Sequence, residues 1–169
     1  MSNLKIRLYG DPALRKKASP VGKITAEEKK LFENMAQAMY AAGGVGLAGP
    51  QVNINKQLLV IDAGAGLFKL ANPKILKAVC VKSGEEGCLS FPEVTVKIKR
   101  PEKIVVEALN HEGVKIRIEA EGLFARALQH EMDHLMGVMI VDRIGMRQRL
   151  LILPKLKRLK KMAKEGITR

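Results

Sequence analysis

Cysteine is scarce in this chain of 169 residues: only Cys80 and Cys88 occur. Neither sits in a C-x-x-C pair, and two thiols make no disulfide framework, so a reducing compartment is expected. Tryptophan is absent, and four Phe and two Tyr are the only aromatics, which leaves little for the stacking platforms of single-strand nucleic-acid binders. No apolar run approaches the roughly 18 residues of a membrane span. Met1-Ser2-Asn3-Leu4-Lys5 lacks the apolar core of a secretory signal, so a cytoplasmic protein without membrane contact is expected. Acid is the last shortage: 17 Asp plus Glu face 30 Lys plus Arg, for a net charge of +13.

What is present describes a folded chain. Hydrophobic residues make up 47% and charged residues 28%, a balance that excludes a disordered polyelectrolyte, and the length fits one domain over residues 1–169. The positive charge is concentrated. Arg143 to Arg169 hold ten Lys or Arg and one acid, Glu165, a balance of +9 that leaves +4 for residues 1–142. An RNA-binding protein is the non-enzymatic reading of such a tail, through phosphate contacts that salt weakens.

Gly10-Asp11-Pro12 through Pro20 carries turn chemistry and is expected to lie extended over the surface. Thr25 and Glu28 have capping-box spacing, and Leu31, Met35, Ala38, Met39 and Ala42 recur at helical intervals. They predict a helix over 26–42, ended by Gly43-Gly44. Runs rich in Val and Ile at 57–62, 71–81, 94–100, 103–110 and 114–120 read as half-buried strands. Cys80 is expected to be packed inside the second of these, and His111 to be solvated at a hairpin tip, Asn110–Gly113. A second helix is predicted over 123–136, closed by Gly137. In the tail, Ile152, Leu156, Leu159 and Ala163 form the apolar stripe of a basic helix that Pro154 either starts or kinks, in the second case from about Met146.

The chemistry concentrates in His130-Glu131-Met132-Asp133-His134. Residues four apart share a helix face, so both imidazoles reach one metal ion, and Glu131 reaches a water bound to it. Cys88 offers a third ligand. Two His and one Cys leave a coordination position open, which marks a catalytic site rather than a structural one. The stretch Gly44-Val45-Gly46-Leu47-Ala48-Gly49-Pro50-Gln51 lacks the Gly-Lys-Ser/Thr ending of a phosphate loop and follows its helix instead of preceding one. Its glycines suit the close approach of a substrate backbone, and Gln51 has an amide NH2 to direct at a developing oxyanion.

Together these strings resemble the peptide deformylases. The family pattern G-x-G-L-A-A-P-Q, E-G-C-L-S and Q-H-E-x-D-H is met at Gly44 to Gln51, Glu86 to Ser90 and Gln129 to His134, with Gly49 in place of Ala as the one departure. Gly10-Asp11-Pro12-x-Leu14-Arg15 fits as well. The resemblance implies an α+β fold, with mostly antiparallel β-sheets packed around a central metal-binding helix and a basic C-terminal helix from about 146. It implies hydrolysis of the N-formyl group from N-formylmethionine of newly synthesised polypeptides, with release of formate.

The same resemblance assigns Cys88, His130 and His134 to one divalent metal ion, Fe2+ natively and Zn2+ or Ni2+ in isolated protein. It makes Glu131 the group that moves the proton, and Gln51 and the Leu89 N–H the donors to the oxyanion. An extended peptide then pairs with the segments Gly44, Val45, Gly46 and Glu86, Gly87, while Val45, Leu123 and Ala127 are candidate walls of a methionine pocket. Arg126 either turns its head outward from that pocket or meets a substrate carbonyl. Asp133 either pairs with Arg100 or stands exposed. The tail is the candidate contact to ribosomal RNA, where nascent chains emerge. A metallopeptidase or other amidase built on the same helix is the competing enzymatic reading.

Overall fold

The computed structural model describes residues 4–169. Residues 1–3, on which part of the expectation about a secretory signal rests, lie outside them. Helix α1 (Ala26–Ala41) forms where the capping box predicts it. The Glu27 N–H donates to Thr25 Oγ1 (3.2 Å), and the Glu28 carboxylate accepts from the Thr25 N–H (3.0 Å). Phe32, Met35 and Met39 are fully buried on its inner face, against Leu47, Leu58 and Val60.

Five strands, β1 (Gly46–Ala48), β2 (Leu58–Ile61), β3 (Phe68–Cys88), β4 (Phe91–Leu109) and β5 (Lys115–Glu121), lie side by side in chain order, each neighbour antiparallel. Two sequence expectations are corrected here. The predicted break between 100 and 103 does not exist: Pro101 lies inside β4, opposite Val81. The pairing of β5 with β4 stops at Lys103, so at Pro101 no strand on that side requires the missing N–H. Cys80, expected in the interior, is exposed, at φ 60°. β2 pairs with β3 only from Phe68 to Ala71, so β3 runs on past its neighbour and leaves Ile75, Leu76, Val79 and Val81 exposed. Register shifts after Ala71 and after Ile75 re-aim the strand there.

β4 serves two cores. Ile104, Val106 and Ala108 pack with Leu70 and Ile118 under Ala125 and Leu128 of α2 (Gly122–Leu135). Val94, Val96 and Ile98 pack with Leu8, Tyr9 and Phe91, and with Leu156 and Leu159 of α3 (Met146–Lys164). Pro154 lies within α3, which therefore starts at Met146. Where α2 ends, Gly137 adopts φ 72° and donates its N–H to the His134 carbonyl (3.1 Å), and a Cβ there would stand 2.5 Å from the Arg15 carbonyl oxygen. Conformation and close approach both require glycine. Arg15 belongs to the Pro12–Arg15 segment, expected extended, which forms a 3-10 turn with Ala13 and Leu14 buried. His111 is exposed in the 110–113 turn. Among the described residues no helix is long and apolar enough to cross a membrane.

Candidate metal centre

α2 turns His130 and His134 toward the tight β3–β4 turn, where Cys88 faces Phe91 across the ladder. His134 Nε2 lies 3.2 Å from both Cys88 Sγ and His130 Nε2, and the three ligand atoms fall within 4.8 Å of one another. Metal bonds of about 2.0–2.3 Å in a tetrahedral set hold their ligand atoms roughly 3.3–3.6 Å apart, so this donor set fits one small divalent ion. His130 Nδ1 is 3.1 Å from Glu86 Oε2. A carboxylate only accepts, so Nδ1 carries the hydrogen and the Nε2 lone pair is left for the ion. Burial pushes the His134 pKa well below the usual imidazole range. His134 is therefore neutral, the coordinating form.

Glu86 accepts from Arg100 Nε (2.6 Å) and Nη2 (3.0 Å), from Arg126 Nη1 (2.7 Å) and from His130. Burial alone raises a carboxyl, but His130 and Arg100 outweigh it here and hold Glu86 at a pKa of about 2. An anion thus sits under His130. Arg100 also reaches Asp133 Oδ2 (2.8 Å), which Arg143 Nε shares (3.0 Å), so Asp133 is paired. Arg126 does not face open solvent. It donates to the Ile98 carbonyl (3.0 Å) and the Lys82 carbonyl (2.9 Å) and covers Gly84, where a Cβ would stand 2.9 Å from its guanidinium.

A cleft of about 440 Å³ opens over His130 and is lined by every metal-ligand, catalytic and substrate-contact candidate from the sequence except His134. His134, 1% exposed, lies behind Cys88 and His130. Gly44, Val45 and Gly46 line the cleft, as do Glu86, Gly87, Cys88 and Leu89. Leu123 and Val45 are rim residues, 62% and 47% exposed, whereas Ala127 is buried. Glu131 and Gly46 meet so closely that a Cβ on Gly46 would overlap the carboxylate. Glu131 Oε2 is buried with no hydrogen-bond partner among the described residues. In the chain alone, burial pushes the Glu131 carboxyl up to about 7.

Gln51 is fixed by its own turn. Its Oε1 accepts from the Ala48 N–H (2.8 Å), which turns the NH2 group toward Ser90 Oγ (3.2 Å) and Cys88 Sγ (3.7 Å). Gly49, the departure from the family string, faces the Lys56 and Ile54 carbonyls, which a Cβ would approach to 2.7 and 2.8 Å. Sequence reasoning passed over Ser90 and the joint role of Arg100 and Arg126 on Glu86. The Glu86–Ser90 string held the first. The arginines, 14 and 40 residues from Glu86, left no local signal.

The family model described as polypeptide deformylase matches residues 3–150. A peptide deformylase of Halothermothrix orenii is 48% identical over 146 residues, covering 85% of this chain and 95% of that one. Among solved structures, the peptide deformylase of Thermotoga maritima superposes with a TM-score of 0.82 at 48% identity, over 84% of this chain and 97% of that one. That of Thermus thermophilus superposes with a TM-score of 0.89 at 38% identity, over 94% and 98%.

Proposed function

The chain belongs to the polypeptide deformylase family, metal-dependent hydrolases that take the N-formyl group from nascent peptides, and we propose how its own residues divide that work. Cys88, His130 and His134 hold one divalent ion, Fe2+ in the cell, with Zn2+ or Ni2+ in isolated protein. Held there, the ion supplies Lewis acidity to water and to the formyl carbonyl. Glu131 takes the proton of the attacking water at its carboxylate and returns it to the leaving amine nitrogen. The water oxygen bonds to the formyl carbon, the C–N bond breaks, and formate and a free amino terminus are released. Gln51 Nε2 and the Leu89 N–H donate to the oxyanion, where loss of one donor costs about 3 kcal/mol. The peptide lies extended along Gly44–Gly46 and Glu86–Gly87, with its methionine toward Leu123 and Ala127.

The convergence of three ligand atoms within 4.8 Å, together with the buried Glu131 Oε2 that has no hydrogen-bond partner among the described residues, carries this reading. Metal-loaded protein is expected to release formate from formyl-Met-Ala-Ser with one metal per chain. Cys88→Ala is expected to lose metal and activity together. Wild-type rates from metal-free Cys88→Ala, or cleavage of internal peptide bonds without deformylation, contradict it. Elemental analysis of anaerobically prepared protein names the ion.

The site of action is the cytoplasm, on chains leaving the ribosome, with α3 as an RNA contact. The matched residues stop at 150, so most of α3 lies beyond them. Its Lys155, Lys157, Arg158, Lys160, Lys161 and Lys164 are exposed. Sedimentation with ribosomes, lost on neutralising these bases, tests this.

A further inference from the structure

The charge in the cleft is uneven along its length. Glu85 lines it with Leu123 and Arg126, and the same three residues border the adjoining hollow. Arg169 lines it with Ala42 and Gly43, and with Ala42 it borders a hollow on the other side. Glu85 and Arg169 therefore stand in different parts of the lining, beside different neighbours. Most other charged groups in the lining are engaged: Glu86 with Arg126 (2.7 Å) and Glu93 with Arg158 (3.1 Å).

Arg169 is held in place by main chain. After α3, Gly166 adopts φ 75°, its N–H donates to the Ala163 carbonyl (3.1 Å), and the Ile167 N–H reaches the Met162 carbonyl (3.0 Å). That closure reverses the chain. Arg169 then exchanges two backbone hydrogen bonds with Ile6, of 2.9 and 2.8 Å, and Ile6 is buried in the α1 core. Its Nη2 donates to the Ala42 carbonyl at 3.3 Å, at the end of α1 where the helix dipole favours a cation. That contact explains the position and uses one donor of five. No Asp or Glu side chain among the described residues pairs with this guanidinium, and Arg169 itself lines the cleft.

We propose that Arg169 is a specificity residue, a cation on the cleft rim that selects peptides with an acidic side chain downstream of the formylated methionine. This deepens the deformylase reading and rests on it. The test compares amidated formyl-Met-Ala-Asp, -Ser and -Lys peptides, and peptides with the charge moved one residue either way, on the metal-loaded full chain. An exposed ion pair is worth up to about 1 kcal/mol, so kcat/KM is expected to favour the Asp peptide by about fivefold at low salt. The difference should lie in KM and fade at high salt. Arg169→Ala should abolish the preference and Arg169→Glu reverse it, while Lys30→Ala, an equal charge change on exposed α1 surface, should keep it. A preference that survives Arg169→Ala, no preference in the wild type, or an equal loss on all peptides, which marks a cap on α1 alone, overturns the proposal. If the wild type releases formate from none of them, the deformylase reading itself fails, and this one falls with it.

Discussion

Gly46 and Glu131 compete for one volume, and the glycine resolves it by having no side chain. Gly46→Ala should therefore displace the carboxylate from its seat. A misplacement of about 1 Å costs on the order of a hundredfold, so kcat for formate release should fall about that far while the melting temperature barely moves. Glu86 acts one atom further out. It holds His130 through Nδ1, and loss of such a support weakens metal binding by about 10–100-fold. Competition with a chelator should show that loss in Glu86→Gln. The meeting of Cys88, His130 and His134, with Glu131 lining the same cleft, was legible in sequence because helical spacing and one short string carry it. The grip of Arg100 and Arg126 on Glu86 was not, since it depends on how β3, β4 and α2 pack.

At the scale of elements, α1 shows a cap coupled to the rest of the chain. The Glu28 carboxylate accepts from Lys56 Nζ (2.6 Å) and from Thr25, and these bonds, Lys56 first, lower its pKa from 4.5 to about 2. A carboxyl with a depressed folded pKa stabilises above its unfolded value and loses that contribution as pH falls through the folded one. Unfolding midpoints should therefore show wild type losing stability between about pH 4.5 and pH 2 relative to Glu28→Gln, with the gap constant above pH 6. Gly137 closes α2 with φ 72° against the Arg15 carbonyl. An L residue there costs about 1–3 kcal/mol in backbone strain alone, so Gly137→Ala should lower the denaturation midpoint. Helices were legible because caps and glycines bound them locally. The long strands were less so: Pro101 reads as a break unless the end of β5 is known, and Cys80 reads as core unless the shortness of β2 is known.

In the whole molecule, three cores converge on the metal helix and on the β3–β4 turn. Leu128 belongs to the core under α2, Cys88 borders the one shared with α3, and Leu89 borders the one shared with α1. The net charge of +13 stands apart from this machinery, largely on and around α3. Ribosome sedimentation that depends on the tail should fall steeply with salt, while deformylation of short neutral peptides should not follow it. The central claim is that a metal held by Cys88, His130 and His134 works with Glu131 as the proton carrier. The most direct measurement is formate release by Glu131→Gln, loaded to one metal per chain. A fall in kcat of about a hundredfold or more at full metal content is the predicted result. A rate close to that of the wild type at the same metal content would contradict the account.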